Sequence, residues 1–130
     1  MRYPRGEGVE HNSPATPFTL GQSRSIRVGE GAVLLNFGTL LPAAEQIANQ
    51  FNLGLIDMRF VKPLDETALD KLVNTYSKFI TLEDGVIAGG AGSAVNEWLI
   101  KHGENTSCLN LGIPDRWIEH ATRDEQLQDA

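Results

Sequence analysis

Apolar residues along this chain fall into two kinds of run that alternate with each other. Short continuous runs are typical of buried strands, and runs spaced by three and four residues are typical of helices with one face on a core. The predicted strands are a short one at 25–28 and longer ones at 32–37, 55–60, 78–82 and 107–111. Glycine, proline and polar residues separate most of these runs, which therefore indicate distinct elements joined by short loops.

Helices are predicted between and after these strands. Their core-facing positions are Ala44, Ile47, Ala48 and Phe51, then Leu69, Leu72, Val73 and Tyr76, then Ala91, Val95, Trp98, Leu99 and His102. Pro42 in a first turn and Asp65 as an N-cap indicate two helix starts, and Gly103 indicates the end of the third helix. A last helical segment is predicted to begin at Pro114 and Asp115 and to pass through 117–118.

Strands that alternate with helices through short loops require right-handed crossovers, which favour a mainly parallel sheet. The predicted fold is α/β: a three-layer α/β/α domain with a sheet of about five strands and helices on both faces. Residues 1–25 are rich in Gly, Pro, Ser and Thr and show no sustained period. They are predicted to form an extended arm or linker, and the domain itself is predicted to span 26–130.

Length and charge narrow the range of functions. With 130 residues, 41% of them hydrophobic, the chain fits one domain, and its formal net charge of −6 disfavours binding to nucleic acid or anionic lipid. No apolar run approaches the roughly 18 to 20 residues that cross a bilayer, and the first ten residues contain no apolar stretch of signal-peptide type. The single cysteine, Cys108, cannot form an internal disulfide. We expect a cytoplasmic protein without membrane or nucleic-acid partners.

Five sequence blocks span nearly the whole chain in one order. They are 2–6 (RYPRG), 35–39 (LNFGT), 56–65 (IDMRFVKPLD), 82–85 with 89–97 (LEDG and GGAGSAVNE), and 109–115 (LNLGIPD). Together they resemble the C-terminal domain of the transketolase superfamily and, in detail, the 1-deoxy-D-xylulose-5-phosphate synthase family. One departure is Ala121, where the family often has glycine after the residue matching His120.

The resemblance implies a homodimeric thiamine-diphosphate transferase that converts pyruvate and glyceraldehyde 3-phosphate into 1-deoxy-D-xylulose 5-phosphate and CO₂, a product that feeds isoprenoid precursors and thiamine. In this family the diphosphate and its Mg²⁺ lie on an N-terminal domain, and the glutamate that activates the cofactor lies on a middle domain. The partners implied are those two domains of the same parent chain and a second subunit. No catalytic residue and no bound cofactor are expected in the present chain, whose implied role is structural.

Arg5 is the site residue that the resemblance brings in. It matches the arginine of the family's Tyr-Pro-Arg-Gly motif, which contacts the phosphate of the sugar substrate, and an arginine fork suits phosphate. The alternative is a solvated arginine on a flexible terminus.

A glycine-rich loop forms a second candidate site. Gly89, Gly90 and Gly92, with Ser93, lie between a predicted strand and a predicted helix, where backbone N–H groups bind anions. The dinucleotide-binding pattern is incomplete because Val95 occupies the place of its third glycine. Two interpretations stay open: a tight turn with close helix packing, or a free-standing anion- or nucleotide-binding module that uses residues 89–93.

Two pairs of charged residues lie near this loop, Glu83 with Asp84 and Asp57 with Arg59. Paired carboxylates are capable of acid–base chemistry, but no nucleophile or metal partner accompanies them. Glu83 is therefore predicted to organise the loop through hydrogen bonds to its backbone, and Asp57 is predicted to form an ion pair with Arg59.

The remaining candidates do not predict chemistry. The histidines are His11, His102 and His120, and no pair of them has metal-ligand spacing, so no metal site is predicted. Cys108 lies among apolar residues and is predicted to be a buried, unreactive thiol. Trp98 and Trp117 belong either to the core or to an interface with a neighbouring domain.

Overall fold

The computed structural model describes residues 17–129 and their side chains, except those at positions 123, 124 and 127. The elements in chain order are β1 (Arg24–Arg27), β2 (Ala32–Phe37), α1 (Leu41–Gln50), β3 (Gly54–Asp57), α2 (Glu66–Val73), β4 (Lys78–Val86), α3 (Ala91–His102), β5 (Ser107–Ile113) and α4 (Arg123–Asp129). None of the helices in this range is long and apolar enough to cross a membrane.

The strands form one five-stranded sheet in the order β1-β3-β2-β4-β5. Neighbours among β3, β2, β4 and β5 are parallel, and β1 runs antiparallel to β3, with Arg24 opposite Asp57. The prediction of a mainly parallel sheet of about five strands is confirmed.

Both faces of the sheet carry helices. All six residues of the central strand β2 are buried, which explains its continuous apolar sequence. On one face Ala44 and Ala48 of α1 pack on Leu34 and Leu55. On the other face α2 and α3 cover a larger cluster that includes Phe79 and Trp98. The predicted three-layer α/β/α arrangement is therefore confirmed.

Helix α1 differs from its predicted packing. The predicted stripe included Ile47 and Phe51, but these side chains are 39% and 63% exposed. Only the alanines are buried, because a stripe of small residues lets the helix lie close to the sheet and turns its larger side chains outward.

Helix α4 begins later than predicted. The predicted start was Pro114, whereas residues 114–122 are not helical and α4 starts at Arg123. Trp117 is 84% exposed and so does not belong to the core, and the alternative that it faces a neighbouring domain remains a prediction. The actual start is a capping box, in which the Thr122 N–H donates to the Glu125 carboxylate at 2.9 Å.

Two strand ends also differ from the prediction. The strand predicted at 55–60 ends at Asp57, because Arg59 adopts a left-handed conformation with φ 61°. Strand β4 continues to Val86 instead of ending at Leu82.

Candidate functional site

The carboxyl ends of parallel strands bind ligands in open α/β sheets, at the point where successive crossovers pass to opposite faces. In this domain that point lies between β2 and β4, because α1 follows β2 on one face and α3 follows β4 on the other. We call the carboxyl ends of β2 and β4, with the loops that follow them, the switch edge. Glu83 and the predicted glycine loop both lie there.

The side chain of Glu83, a residue of β4, lies at the N-terminus of α3. Its carboxylate accepts hydrogen bonds from the backbone N–H groups of Ala91 (2.8 Å) and Gly92 (3.0 Å), and the residue is 6% exposed. The first N–H groups of a helix lack intrahelical partners and carry the positive end of its dipole, which favours a carboxylate. The N-cap residue Gly90 has no side chain to supply this contact, so Glu83 supplies it from the neighbouring strand.

Two glycines of the loop make room for this contact. A Cβ atom on Gly90 would overlap with the Glu83 carboxylate and with the carbonyl oxygen of Val86, and one on Gly92 would overlap with Asn110 and Thr81. Only glycine lets the start of α3 approach the sheet this closely. This observation supports the tight-turn interpretation of the loop.

A polar chain continues beneath α3. Asn96 donates to Asn110 at 2.6 Å, and Asn110 donates to the buried hydroxyl of Thr81 at 2.6 Å. These contacts join α3, β5 and β4 through side chains that would be costly to bury without partners. The first half of α3 is thus fixed to the sheet by polar contacts as well as by apolar packing.

Asp84 reaches the opposite face, where it binds the residue that precedes the N-cap of α1. Its carboxylate accepts a hydrogen bond from the Thr39 hydroxyl at 2.7 Å and lies 3.4 Å from the Thr39 backbone nitrogen, just before α1. Successive residues of a strand point to opposite faces, so the adjacent carboxylates Glu83 and Asp84 reach two different helices. That alternation was a signal in the sequence, but the contact with Thr39 was missed because it spans 45 positions.

At the switch edge Glu83 therefore binds the first N–H groups of α3, and Asp84 binds the loop just before α1. An incoming anion would compete with Glu83 for the N–H groups of Ala91 and Gly92 and would meet its negative charge. The Ser93 hydroxyl lies 3.4 Å from the Ile87 carbonyl oxygen, to which it donates. The predicted anion site at Gly89, Gly90, Gly92 and Ser93 remains a prediction, and this geometry disfavours it. The predicted role of Glu83 also remains a prediction, and the same contacts support it.

An open pocket of about 290 Å³ lies beside the switch edge. Its lining residues are Phe18, Gly38, Asp57, Arg59 and Phe60. The predicted ion pair is confirmed, because Arg59 Nε lies 3.4 Å from the Asp57 carboxylate. Arg24 lies 3.4 Å from the same carboxylate, so the charged groups of the pocket are engaged with each other.

His102, Trp98 and Cys108 all make contacts typical of structural residues. His102 stacks on Trp98 with ring centroids 4.4 Å apart, and its Nδ1 lies 2.8 Å from the Trp98 carbonyl oxygen. Trp98 is a core residue, 4% exposed. Burial raises the pKa of the half-buried Cys108 thiol, outweighing a hydrogen bond from Asn110, so the thiol is a poor nucleophile at neutral pH.

Neither a metal site nor the phosphate contact implied for Arg5 is seen among the described residues. Within residues 17–129 no three His, Cys, Asp or Glu side chains lie close enough together to hold a metal ion. Arg5 and His11 lie outside the described residues, so the role that the resemblance implies for Arg5 remains a prediction.

Comparison with known proteins identifies the family. The family model "Transketolase, C-terminal domain" matches residues 21–130. This chain belongs to that family. All five strands lie within the matched range.

Named relatives extend the comparison. The chain is 47% identical over 127 residues to 1-deoxy-D-xylulose-5-phosphate synthase of Psychromonas ingrahamii, covering 96% of this chain and 20% of that protein. It is 46% identical over 130 residues to the synthase of Haemophilus influenzae, covering 99% of this chain and 21% of that one. A solved structure described as "Split gene transketolase, inactive beta4 tetramer" superposes with a TM-score of 0.76 at 25% identity, covering 88% of this chain and 40% of that one. The chain therefore spans about a fifth of the length of the curated relatives it matches.

Proposed function

We propose that this chain is the C-terminal domain of a 1-deoxy-D-xylulose-5-phosphate synthase and that its role there is structural. The observation that carries the proposal is the extent of the match, which covers nearly all of this chain but only about a fifth of each synthase. The geometry of the switch edge supports the structural role, because Glu83 and Asp84 lie where a ligand would bind in many α/β domains.

The proposed parent enzyme converts pyruvate and glyceraldehyde 3-phosphate into 1-deoxy-D-xylulose 5-phosphate and CO₂, in the cytoplasm, as a supply of isoprenoid precursors. Its thiamine diphosphate and Mg²⁺ would bind to the N-terminal and middle domains. The described residues of this chain do not fit a metal site, and we assign no step of the reaction to them.

The proposed partners are the other two domains of the parent chain and a second subunit of a homodimer. The transketolase neighbour is described as an inactive tetramer of its beta chain. That description supports the view that a part of such an enzyme assembles without being active. By the same reasoning, we expect the present chain alone to have no synthase activity.

A chimera tests the proposal. The matching C-terminal fifth of the Haemophilus influenzae synthase would be replaced by this chain, and product formation from pyruvate and glyceraldehyde 3-phosphate would be measured with thiamine diphosphate and Mg²⁺. We expect an active chimera and an inactive isolated chain. Product from the isolated chain above a blank would contradict the structural role, and a folded, dimeric but inactive chimera would contradict the assignment to this enzyme.

Arg5 gives the test a residue-level control. In the chimera, Arg5→Ala removes a charge-assisted contact and should weaken apparent affinity for glyceraldehyde 3-phosphate by about one to two decades, with pyruvate kinetics little changed. Arg2→Ala is the matched control, because it removes the same charge three positions away. Equal effects of the two substitutions, or an equal loss for pyruvate, would show that the implied role of Arg5 is wrong.

The rival function is a free-standing module that binds an anion or nucleotide at residues 89–93. It predicts that phosphate or a nucleotide binds to the isolated chain and that Glu83→Gln, which removes a competing charge, strengthens binding. Titration calorimetry on both forms would separate the two proposals.

A further inference from the structure

The open pocket beside the switch edge contains a guanidinium group that is only partly bonded. Arg59 lines this pocket, and its side chain is only 13% exposed. Its Nε lies 3.4 Å from the Asp57 carboxylate, but no acceptor among the described residues lies within hydrogen-bonding distance of its two terminal nitrogens. A guanidinium is a planar fork of N–H donors, and the two terminal nitrogens form the end of the fork that binds a carboxylate through two hydrogen bonds.

Two contacts orient the guanidinium of Arg59. Its carbon lies 4.6 Å from the centroid of the Phe18 ring, within the range of a cation–π contact. Asp57 contacts its Nε, as described above. A long side chain that is already oriented loses less conformational entropy when it binds a ligand. The donors of Arg59 are therefore prepared for a partner before one arrives.

The backbone at Arg59 is in an unfavourable conformation. The residue has φ 61° and lies at the centre of a turn in which the Phe60 N–H donates to the Met58 carbonyl oxygen at 2.6 Å. A three-residue turn with a positive central φ is the rare and strained form, and glycine adopts such a φ at less cost. Strained residues with large side chains are concentrated at sites where the direction of the side chain serves binding.

Asn36 adds a second unfavourable feature at this place. Its side chain is fully buried on the same face of the sheet as its register partner Asp57, and its Nδ2 donates to the Gly38 carbonyl oxygen at 3.0 Å. Its Oδ1 has no hydrogen-bond partner among the described residues. A buried acceptor without a donor is costly. Local rules of stability are thus broken twice beside one pocket, as is expected at a functional site.

The size and the walls of the pocket select the body of a ligand. Phe18 and Phe60 line it together with Gly38, so much of the wall is aromatic. Its volume of about 290 Å³ is near the lower end of the roughly 300–1,000 Å³ that is typical of small-molecule pockets. Aromatic side chains pack well against a flat apolar group. A ligand with a body of about one ring would suit this space.

The charges around the pocket select the anionic group. Asp57 contacts both Arg24 and Arg59. Asp84 is also close, since a Cβ atom on Gly38 would lie 2.8 Å from its Oδ1. Two carboxylates therefore balance two guanidinium groups. A phosphate ester or a diphosphate would bring more than one negative charge close to both aspartates, so a single carboxylate is favoured.

We infer that this pocket binds a small organic monocarboxylate with a flat apolar body. The carboxylate accepts two hydrogen bonds from the terminal nitrogens of Arg59, and the body lies against Phe18 and Phe60. The lining residues all belong to this chain, so binding does not depend on the other domains of the proposed synthase. Benzoate is the simplest probe of this class.

The first experiment titrates the 130-residue chain with benzoate and follows its backbone amides by NMR. We expect a dissociation constant on the order of 1 mM, as is usual for so small a ligand, with shifts at Gly38 and at 57–60 and none at Ile100 on α3. Benzyl alcohol keeps the ring without the charge, and acetate keeps the charge without the ring. Each should bind at least roughly tenfold more weakly than benzoate. Equal binding of the three probes, or no saturable shift at these residues, would overturn the site.

The second experiment tests the two groups assigned to the ligand. Arg59→Lys keeps the charge but not the planar fork and should weaken benzoate binding by roughly tenfold. Phe18→Leu leaves the turn at Arg59 unaltered and should weaken it by roughly threefold, because one aromatic wall is lost. Arg27→Lys is the matched control, since Arg27 binds Asn52 and Leu53 at the other end of the sheet. Unchanged binding in both pocket variants, or an equal loss in the control, would overturn the inference.

This site and the proposed function fail separately. Benzoate binding by the isolated chain, together with a folded but inactive chimera, would overturn the assignment to the synthase and leave the site in place. An active chimera together with an isolated chain that does not bind benzoate would overturn the site alone.

Discussion

The two faces of the sheet are covered to different extents. On the face covered by α2 and α3, thirteen buried residues form one cluster, whereas the cluster beneath α1 contains four among the described residues. On the α1 face Leu109 and Leu111 of β5 remain 56% and 40% exposed. Two helices cover one face and one helix of small residues covers the other, so the apolar contribution to stability is concentrated on the α2 and α3 face.

The same asymmetry recurs at the switch edge. Glu83 and Asp84 are neighbours in β4 and lie at the starts of α3 and α1, but Glu83 is buried and Asp84 is half-buried. Removing a buried carboxylate is costly because it leaves its two N–H partners without an acceptor. When an accessible carboxylate is removed, water can take its place as the acceptor. The α3 side is therefore the more rigidly specified half of this edge.

The largest expected loss of stability comes from removing a buried side chain from the face covered by α2 and α3. Phe79 is 1% exposed and packs in the larger cluster, so Phe79→Ala should lower the free energy of unfolding by about 3–5 kcal/mol. Leu109→Ala, on the other face, should cost less than about 1 kcal/mol because the side chain is 56% exposed. Urea denaturation of both variants measures the difference. Comparable losses would mean that something covers the β5 surface in solution.

The second prediction concerns the buried carboxylate. Glu83→Ala removes two charge-assisted hydrogen bonds from the first turn of α3 and should cost about 2–4 kcal/mol. Asp84→Ala should cost about 0.5–1 kcal/mol, as expected for the loss of accessible hydrogen bonds to Thr39. Glu83→Gln, which keeps acceptor oxygen but loses the charge, should fall between them. If the Glu83 and Asp84 variants lose equal stability, burial does not determine how much each carboxylate contributes.

Local signals in the sequence predicted most of the fold. The continuous apolar run of β2, the N-cap Asp65 and the terminator Gly103 each depend on neighbours in sequence, and the structure has all three where expected. The exposure of Phe51 was not predictable from its spacing, because that depends on how closely α1 approaches the sheet. The start of α4 was predictable in principle from the Thr122 and Glu125 capping box.

The candidate site was less accessible to sequence reasoning. The glycine loop and Glu83 were located, but their relation depends on the distance between α3 and β4, which sequence spacing does not give. The contacts of Ser23 with Asp65 and of Thr39 with Asp84 join residues more than 40 positions apart. Long-range polar pairs of this kind have no periodic signature.

The third prediction compares the C-terminal ends of α3 and α1. Gly103 ends α3 with φ 69°, and Asn52 follows α1 with φ 54°. Gly103→Ala should cost about 1 kcal/mol because alanine disfavours the left-handed region, and Gly103→Asn should cost less, as asparagine tolerates it. Thermal unfolding of both variants measures this. Equal losses for alanine and asparagine would contradict the role of backbone conformation, because a Cβ atom at Gly103 would meet no other atom within 4 Å.

The smallest expected effect concerns Asp65. This residue is the N-cap of α2, and its carboxylate also accepts two hydrogen bonds from Ser23, just before β1. Burial raises the pKa of its carboxyl, but hydrogen bonds from Ser23 and Ala68 and the charge of Lys71 together lower that pKa below 3.8. The folded state therefore prefers the charged form, so the stability contributed by Asp65 is present above about pH 4 and is lost as the pH falls through the lowered value. Solvent screens this half-buried group, and the change should be well under that of Glu83→Ala. Free energies of unfolding for the unaltered chain and for Asp65→Asn, whose side chain still caps the helix, would be measured between pH 6 and pH 3. We expect the unaltered chain to be more stable than the variant at pH 6 and this difference to shrink as the pH falls, because protonation removes the charge that the variant already lacks. A difference in stability that stays constant over this range would mean that Asp65 contributes through its shape and not through its charge.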